Sequence, residues 1–378
     1  MFPREFNIQN KKLKKVENKQ VNGRNSQSKY VDDSQTSYYA KMDKKRSNKA
    51  IFGDSLQEIV ASDKLERHKD LLRDEAAIIA LIASRLVSAI FINFVRVPEN
   101  FLTRLADGTP ITLSKLIPNE EKFDEFLSKK SIILQTQPKN PESWGHIRLT
   151  RKSLDLNINE ANILGKLYYV ALFIGHWDIL NNINLTNSGS VTIDGKLMPC
   201  IVDWGNCLLV GFAGKSQDDN AFKGLDPMRT DADSLMGYKH AVPFDIIPYL
   251  RLPRQLVPDL FDLTADDETS KHMLEGFIEA HTIAKKNFSE GLVVRVVEET
   301  FKEAVSKEDI AGFKVSLTQS MFFDNKNQKS ELECILKGRL ASLEQIIHSI
   351  KKGKTMEQIA NKQLQQIKDS QIIPRSRL

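Results

Sequence analysis

GHWDILNNINL, at Gly175–Leu185, is the first of two stretches on which our prediction of the fold depends. The second is PCIVDWGN, at Pro199–Asn206. In the first, His176 and Asp178 follow an apolar helical pattern and precede asparagines and a strand-like run. In the second, Asp203 ends a short apolar strand. A hairpin between the two stretches would return the chain, so that both acids could point into one cleft.

These residue types suit phosphoryl transfer. One carboxylate accepts or orients the proton of the nucleophile, while an amide and a second carboxylate hold the metal ions that neutralise the phosphates. Taken alone, Asp178 is typical of a helix or turn cap, and Asp203 is typical of a turn. Their occurrence together, beside His176 and the asparagines, favours the functional interpretation.

The pattern HWDILNNI resembles the H-x-D…N catalytic loop of the protein-kinase-like superfamily, which includes aminoglycoside and choline phosphotransferases, lipid kinases and secreted bacterial kinases. IVDWGN resembles that family's metal-binding strand end. The resemblance implies Asp178 as the catalytic base, Asn182 and Asp203 as metal ligands, and ATP with Mg²⁺ or Mn²⁺ as cofactors. The family usually leaves four residues between the aspartate and the asparagine, whereas three separate them here, so Asn181 and Asn184 are alternative ligands. A catalytically inactive kinase-like binding module stays open.

The strand-like SYYAKM at Ser37–Met42 resembles the family's V-A-I-K strand, which implies that Lys41 binds the ATP phosphates. A buried ammonium group needs an acidic partner. The resemblance implies Glu75, at the start of the helical pattern RDEAAIIALIASRL, as that catalytic partner, and Glu58 is the alternative.

Two further residues are implied in nucleotide binding. Gly23 is the only glycine in the region before Lys41, so a glycine-rich phosphate loop is poorly developed. Leu116 ends the strand-like ITLSKLI, and the backbone from Leu116 to the hinge near Pro118 would receive adenine.

The distribution of patterns predicts an α+β protein with a two-lobed protein-kinase-like fold: a small β-rich N-lobe, a larger α-helical C-lobe and a C-terminal helical extension. We place a basic, loosely ordered N-terminus at residues 1–30, the N-lobe at 31–118 and the C-lobe at 119–325. The C-terminal helix and a basic tail occupy residues 326–378.

Local patterns make more detailed predictions. They indicate a helix from near Glu75 through Leu86, a strand at Phe91–Val97, a hairpin at residues 106–109 leading to a strand at Ile111–Ile117, helices through 163–175 and 271–320, turns at 187–189 and 194–195, a final helix at Ser330–Ile350 and a polar tail after Gly353. The apolar segment Ala76–Val95 predicts a buried helix that runs into a strand rather than a membrane span, because Arg85 interrupts it.

The net charge of +5 is concentrated at the two ends of the chain. Residues 1–30 hold eight Lys or Arg against two acids, and residues 337–378 hold nine against three. This pattern is typical of solvated termini, and it also suits an anionic membrane or an inositol phosphate activator. Nucleic acid is disfavoured because basic and aromatic residues are not interleaved. The histidines and three cysteines have no zinc-ligand spacing. Cys200 is typical of a small core residue, and Trp204 is typical of core packing rather than of stacking on a ligand.

We therefore expect an atypical kinase that transfers the γ-phosphate of ATP to a protein, with a phosphoinositide or an inositol phosphate as the alternative substrate. The basic ends, the Lys- and Asn-rich composition and the missing glycine loop are similar to effector kinases that bacteria such as Legionella secrete into host cells, some of which depend on inositol hexakisphosphate. That resemblance implies a cytoplasmic protein, in the host cytosol and attached to a membrane surface. IVDW keeps a small-molecule phosphotransferase of the aminoglycoside type as a rival.

Overall fold

The computed structural model of the chain describes residues 4–8, 11–17, 25–43, 80–104, 110–115, 123–125, 156–176, 188–202, 204, 261–305, 326–356, 358–359 and 362. Within these ranges an antiparallel sheet of N-terminal strands precedes a helical C-terminal part. The α+β class is therefore confirmed, and the arrangement is consistent with the two-lobed fold that we expected.

Six strands form the first sheet, in the order β1-β2-β3-β4-β6-β5, and all neighbours are antiparallel. They are β1 (Glu5–Ile8), β2 (Lys11–Glu17), β3 (Asn25–Val31), β4 (Ser37–Asp43), β5 (Asn100–Arg104) and β6 (Pro110–Lys115). A second sheet has the order β7-β8-β9, from β7 (Phe123–Glu125), β8 (Ser188–Ile193) and β9 (Lys196–Ile201).

Five helices of three turns or more lie within the described residues. They are α1 (residues 80–90), α2 (Ile158–Ile174), α3 (Glu268–Asn287), α4 (Leu292–Val305) and α5 (Lys326–Lys351). Their apolar faces form one large core, to which β9, Trp204 and the sheet residue Leu102 also contribute. None of these helices is long and apolar enough to span a membrane.

The first sheet has its own small core on one face. Its buried members come from five of the six strands: Leu13, Tyr30, Tyr38, Ala40, Phe101, Ile111 and Leu113. Where the structure describes residues 1–30, the expectation of loose order is wrong, because β1, β2 and β3 pair successively onto β4. The lysine-rich composition does not indicate this order, because Leu13 is the buried side chain among those described in β2. Backbone hydrogen bonds between the strands hold the rest of the segment in place.

A buried carboxylate organises the turn between β3 and β4. Asp32 Oδ1 accepts hydrogen bonds from the Ser34 hydroxyl at 2.6 Å and from the Thr36 amide at 2.8 Å. The Tyr38 hydroxyl donates to Oδ2 at 3.1 Å. Burial raises the pKa of Asp32, but these hydrogen bonds and Lys11 outweigh burial, so the pKa is lowered.

The helix α1 is buried on nearly every side, and it continues to residue 90 rather than ending at Leu86. The strand predicted at Phe91–Val97 is wrong. Residues 91–94 form a turn in which Asn93 has φ 57°, and Val95 N donates to Phe91 O at 3.0 Å. The aromatic character of this segment reflects packing, because the Phe91 ring meets the rings of Tyr169 and Phe173 edge-on.

Backbone contact brings α2 and α3 together. A methyl group on Gly165 would lie closer than 3.0 Å to Met273 O, and one on Gly276 would lie closer than 3.0 Å to Asn162 O. Each helix thus presents a glycine to the backbone of the other. The two helices approach more closely than side chains would permit.

The C-terminal helix is longer than predicted, and the prediction that the chain is polar after Gly353 is wrong. Met356 and Ile359 lie beyond Gly353, yet both are buried members of the large core. The Met356 amide also donates to Thr264 Oγ1 at 3.1 Å. Two apolar side chains one helical turn apart are too short a pattern to predict burial from sequence.

Candidate functional site

The helix α2 leads into the His176–Asp178 motif. Asn157 begins it with a capping box, because its side chain accepts from the Glu160 amide and the Glu160 carboxylate accepts from the Asn157 amide, each at 3.0 Å. Every residue from Leu167 to Ile174 is buried. A helix buried all round cannot rotate without exposing apolar surface, so its C-terminal end has a defined position.

Gly175 ends α2 in the left-handed conformation, with φ 74°, which glycine adopts without strain. The amides of Gly175 and His176 both donate to Ala171 O, the latter at 2.9 Å. From α5, the buried Arg339 donates from Nη1 to Phe173 O at 3.1 Å. The backbone just before Asp178 is therefore held from two sides.

A contact between two side-chain rings, one from each motif, brings the two motifs together. The side chains of His176 and Trp204 are both buried, and their ring centroids lie 5.6 Å apart. His176 precedes Asp178 by two residues, and Trp204 follows Asp203 directly. Trp204 belongs to the large core, which confirms the prediction that it packs in the interior rather than stacking on a ligand.

The hairpin of β8 and β9 joins the motifs a second time. Ser188, which follows the segment 177–187, pairs with Ile201 at the end of β9. The predicted turn at Asp194-Gly195 is confirmed, with φ 50° and 75°. The turn predicted at 187–189 is wrong for Ser188 and Gly189, because both are strand residues opposite Ile201 and Cys200.

The residues on either side of Asp203 pack in different places. Val202 contacts a small cluster of the second sheet, formed by Val191, Met198 and Cys200, whereas Trp204 packs in the large core. Packing of Val202 and Trp204 against different clusters fixes the residues immediately before and after Asp203. Cys200 is buried, as the sequence predicted.

A bridge from the N-terminal half fixes the position of β9. The Arg96 amide donates to Pro199 O at 2.7 Å, and the Ile201 amide donates to Arg96 O at 3.2 Å. Arg96 lies between α1 and β5. The strand that leads to Asp203 is thus hydrogen-bonded to the segment that enters the first sheet.

The register of the first sheet shows which way Lys41 faces. Lys41 pairs with Thr112, and Thr112 pairs with Leu102. Residues directly opposite in a sheet share a face. Leu102 belongs to the large core, whereas Ala40 lies on the face of the small core. The half-buried Lys41 therefore lies on the face that is turned towards the helices.

A second lysine shares that face. Lys29 on β3 pairs with Tyr39, two residues before Lys41 on β4, and alternation places Tyr39 and Lys41 on the same side. Both lysines are half-buried. Lys115 pairs with Tyr38 and lies on the opposite face. The sequence patterns do not single out Lys29, since only strand pairing places it beside Lys41.

Of the residues that the sequence implicated, Lys41 lies within the described part of the chain, and its role stays a prediction. The other assigned residues, Asp178, Glu75, Gly23, Leu116, Asn182 and Asp203, lie outside it, as do the alternatives Asn181, Asn184 and Glu58. Within the described residues, no group of three or more His, Cys, Asp or Glu side chains could hold a metal ion.

No protein-family model and no curated protein matches the chain. Among solved structures, the chain is similar to the proinflammatory kinase CtkA of Helicobacter pylori, with 11% sequence identity and a TM-score of 0.43 over 93% of this chain and 96% of that one. At that identity and score the likeness assigns neither family nor activity. The functional interpretation therefore rests on the residues of this chain.

Proposed function

We propose that this protein is an atypical kinase that transfers the γ-phosphate of ATP to a hydroxyl group of a protein. The main observation is that His176 and Ser188, which flank the segment 177–187 in the chain, both contact residues at or next to the end of β9. At one end, the rings of His176 and Trp204 are in contact. At the other, Ser188 pairs with Ile201.

Chain connectivity extends this observation to the two acids. Consecutive Cα atoms are about 3.8 Å apart, so the Cα atom of Asp178 is at most about 8 Å from that of His176. Asp203 directly precedes Trp204 in the chain. Since His176 and Trp204 are in contact, we infer that both carboxylates reach one bound substrate. Two acids that follow the ends of a buried helix and a buried strand favour the kinase interpretation over the alternative that both are ordinary turn residues.

The proposed reaction assigns one role to each acid. Asp178 accepts the proton of the substrate hydroxyl as its oxygen bonds to the γ-phosphorus of ATP. The bond from that phosphorus to the β–γ bridging oxygen breaks, and ADP leaves. Asp203 and Asn182 offer carboxylate and amide oxygens, which suit Mg²⁺ or Mn²⁺. A bound metal ion would neutralise the charge of the phosphates.

The first sheet supplies the positive charge that ATP needs. Lys41 and Lys29 share the face turned towards the helices, on neighbouring strands. Two ammonium groups on one face suit the negative charge of a bound triphosphate. We therefore assign Lys41, with Lys29 beside it, to the ATP phosphates. Glu75, Gly23 and Leu116 keep their proposed roles as ion-pair partner, phosphate loop and adenine site.

The basic ends of the chain support an inositol phosphate activator and attachment to an anionic membrane. A location in a host cytosol follows from the resemblance to secreted effector kinases. The basic strand β2 supports an anionic partner, but its lysines are partly neutralised. Lys12 contacts Glu5 at 2.7 Å, and Lys14 contacts Asp33 at 3.8 Å.

The decisive experiment incubates purified protein with ATP labelled at the γ-phosphate, together with phosphoinositide vesicles, an aminoglycoside or a host-cell lysate. We expect label on a protein, with Mg²⁺ or Mn²⁺ required. Asp203→Ala should abolish transfer, and Asp178→Asn should reduce it by about a hundred-fold or more. Asp194→Asn is the matched control, because this exposed turn residue has a left-handed backbone that asparagine also tolerates.

Lys41→Met should raise the KM for ATP strongly and Lys29→Met less so, whereas Lys115→Met on the opposite face should not change it. Label on an aminoglycoside would favour the small-molecule phosphotransferase. ATP binding without any transfer would indicate an inactive binding module. Full activity in Asp203→Ala would contradict the proposal.

A further inference from the structure

Arg339 is a fully buried cation that the proposed reaction does not use. It lies on α5, far along the chain from both motifs, among the buried side chains Leu336 and Leu343. Moving a charged group into a protein interior is unfavourable unless good geometry compensates for the lost hydration. An apolar side chain at this position would avoid that cost, so the buried charge requires an explanation.

The position of its guanidinium group supplies one. Nη1 donates to Phe173 O at 3.1 Å, within the last turn of α2. Carbonyl groups in the last turn of a helix lack intrahelical donors and carry the negative end of the helix dipole. The last turn of α2 contains no basic residue of its own. Arg339 therefore brings to α2 the cation that its own sequence lacks.

The contact lies next to the proposed catalytic segment. Phe173 O is three residues before His176 and five before Asp178. The same turn ends at Gly175, whose left-handed backbone redirects the chain. A displacement of the last turn of α2 would move His176 away from Trp204, directly before the segment that contains Asp178.

We infer that Arg339 is a positioning residue, which fixes the end of α2 and thereby sets the location of Asp178 relative to Asp203. The inference rests on the proposed function. It extends that function to the C-terminal helix, which would be a required part of the active site rather than an appendage. Arg339 acts through the backbone of α2 and not on the substrate.

The test uses the full chain with Arg339→Met, Arg339→Lys and Arg339→Ala. Methionine keeps the length and apolar packing of the side chain but removes the charge. We expect kcat for phosphate transfer from ATP to fall between about ten-fold and a hundred-fold, because small misplacements of a catalytic group have effects of that size. The KM for ATP should change less than two-fold, since Lys41 and Lys29 are on the first sheet. Guanidinium ions should restore part of the activity of Arg339→Ala but not of Arg339→Met, whose side chain fills the site.

Hydrogen exchange separates this inference from the proposed function. In Arg339→Met, amides in residues 170–187 should exchange at least about five-fold faster, while those of β3 and β4 should be unchanged. Arg339→Lys should show a smaller increase. If the wild type transfers no phosphate, the proposed function fails, yet the exchange still tests the positioning.

Leu343→Ala is the control for a purely structural effect, because Leu343 is buried on the same helix. The inference would be overturned if guanidinium ions failed to restore activity to Arg339→Ala and its activity fell only in proportion to its lost stability, as in Leu343→Ala. Unchanged exchange in residues 170–187 would also overturn it. Should Arg339→Met fail to fold, Arg339→Lys and the rescue of Arg339→Ala decide the matter.

Discussion

The first sheet and the α2–α3 pair hold their proposed functional residues in different ways. The sheet places Lys41 through strand register, above a small core of its own and a hydrogen-bonded turn at Asp32. The helix pair places the motif after Gly175 through backbone contact and a large core. A defect in the helix pair should therefore disturb the segment of the acids, whereas one in the sheet should disturb the lysines first.

The largest expected effect is at the contact of the two helices. Gly276→Ala should destabilise the protein by about 3 kcal/mol, because its methyl group would collide with backbone rather than with a side chain that could rotate. Thermal or urea unfolding measures this. Exchange in residues 170–176 should rise as well. A loss below about 1 kcal/mol would show that the helices can separate easily and would remove the contrast with the sheet.

The turn of the first sheet comes next. Asp32→Ala should cost about 2 kcal/mol, since the Ser34 hydroxyl, the Thr36 amide and the Tyr38 hydroxyl would lose their acceptor. Hydrogen exchange should increase in β3 and β4 but not in α2. Asp33→Ala, at the exposed neighbouring residue, is the control. Equal exchange increases in both regions would mean that sheet and helices unfold as one unit.

The pH dependence of the helix pair is a smaller effect. Burial lowers the pKa of His281, whose Nδ1 lies 3.1 Å from the Tyr169 hydroxyl. The neighbouring charges are those of Glu344, which raises the pKa, and of Lys285 and Lys351, which lower it. Unfolded His281 takes up a proton near pH 6.5, whereas folded His281 does so only at lower pH. Stability should therefore fall as the pH decreases below about 6.5 and level off below the folded pKa.

His281→Gln removes this titration and leaves the other histidines in place. The difference in melting temperature between wild type and variant should therefore be largest at pH 7.5 and shrink by pH 5.5. A constant difference across that range would show that His281 titrates alike in both states.

The smallest effect is expected at Gly338 on α5. A methyl group there meets no atom within 4 Å. Gly338→Ala should stabilise the protein by about 0.5–1 kcal/mol, through the lower backbone entropy of alanine in the unfolded chain. It is also the matched control for Gly276→Ala. Destabilisation by Gly338→Ala would mean that α5 packs more tightly than its surface suggests.

Several features of the molecule could be predicted from the sequence. The helix α2, its end at Gly175 and the turn at Asp194-Gly195 depend on periodicity, capping residues and left-handed glycine, which are local properties. The strand containing Lys41 and the burial of Trp204 were also predicted. The prediction failed at Phe91–Val97, where residues 91–94 form a turn with Phe91 buried and Ile92 exposed, because packing of Phe91 against Tyr169 and Phe173 outweighs strand propensity.

The local elements and the two acidic motifs can be recognised from neighbouring residues in the sequence. Three relationships required the folded chain: Ser188 lies opposite Ile201, Lys29 shares a face with Lys41, and Arg339 donates to Phe173. Met356 and Ile359 belong with these, because the large core and not their own polar surroundings makes them interior residues. The physical reason is that helix caps and turns depend on neighbouring residues, whereas strand register and burial depend on contacts between residues far apart in the chain.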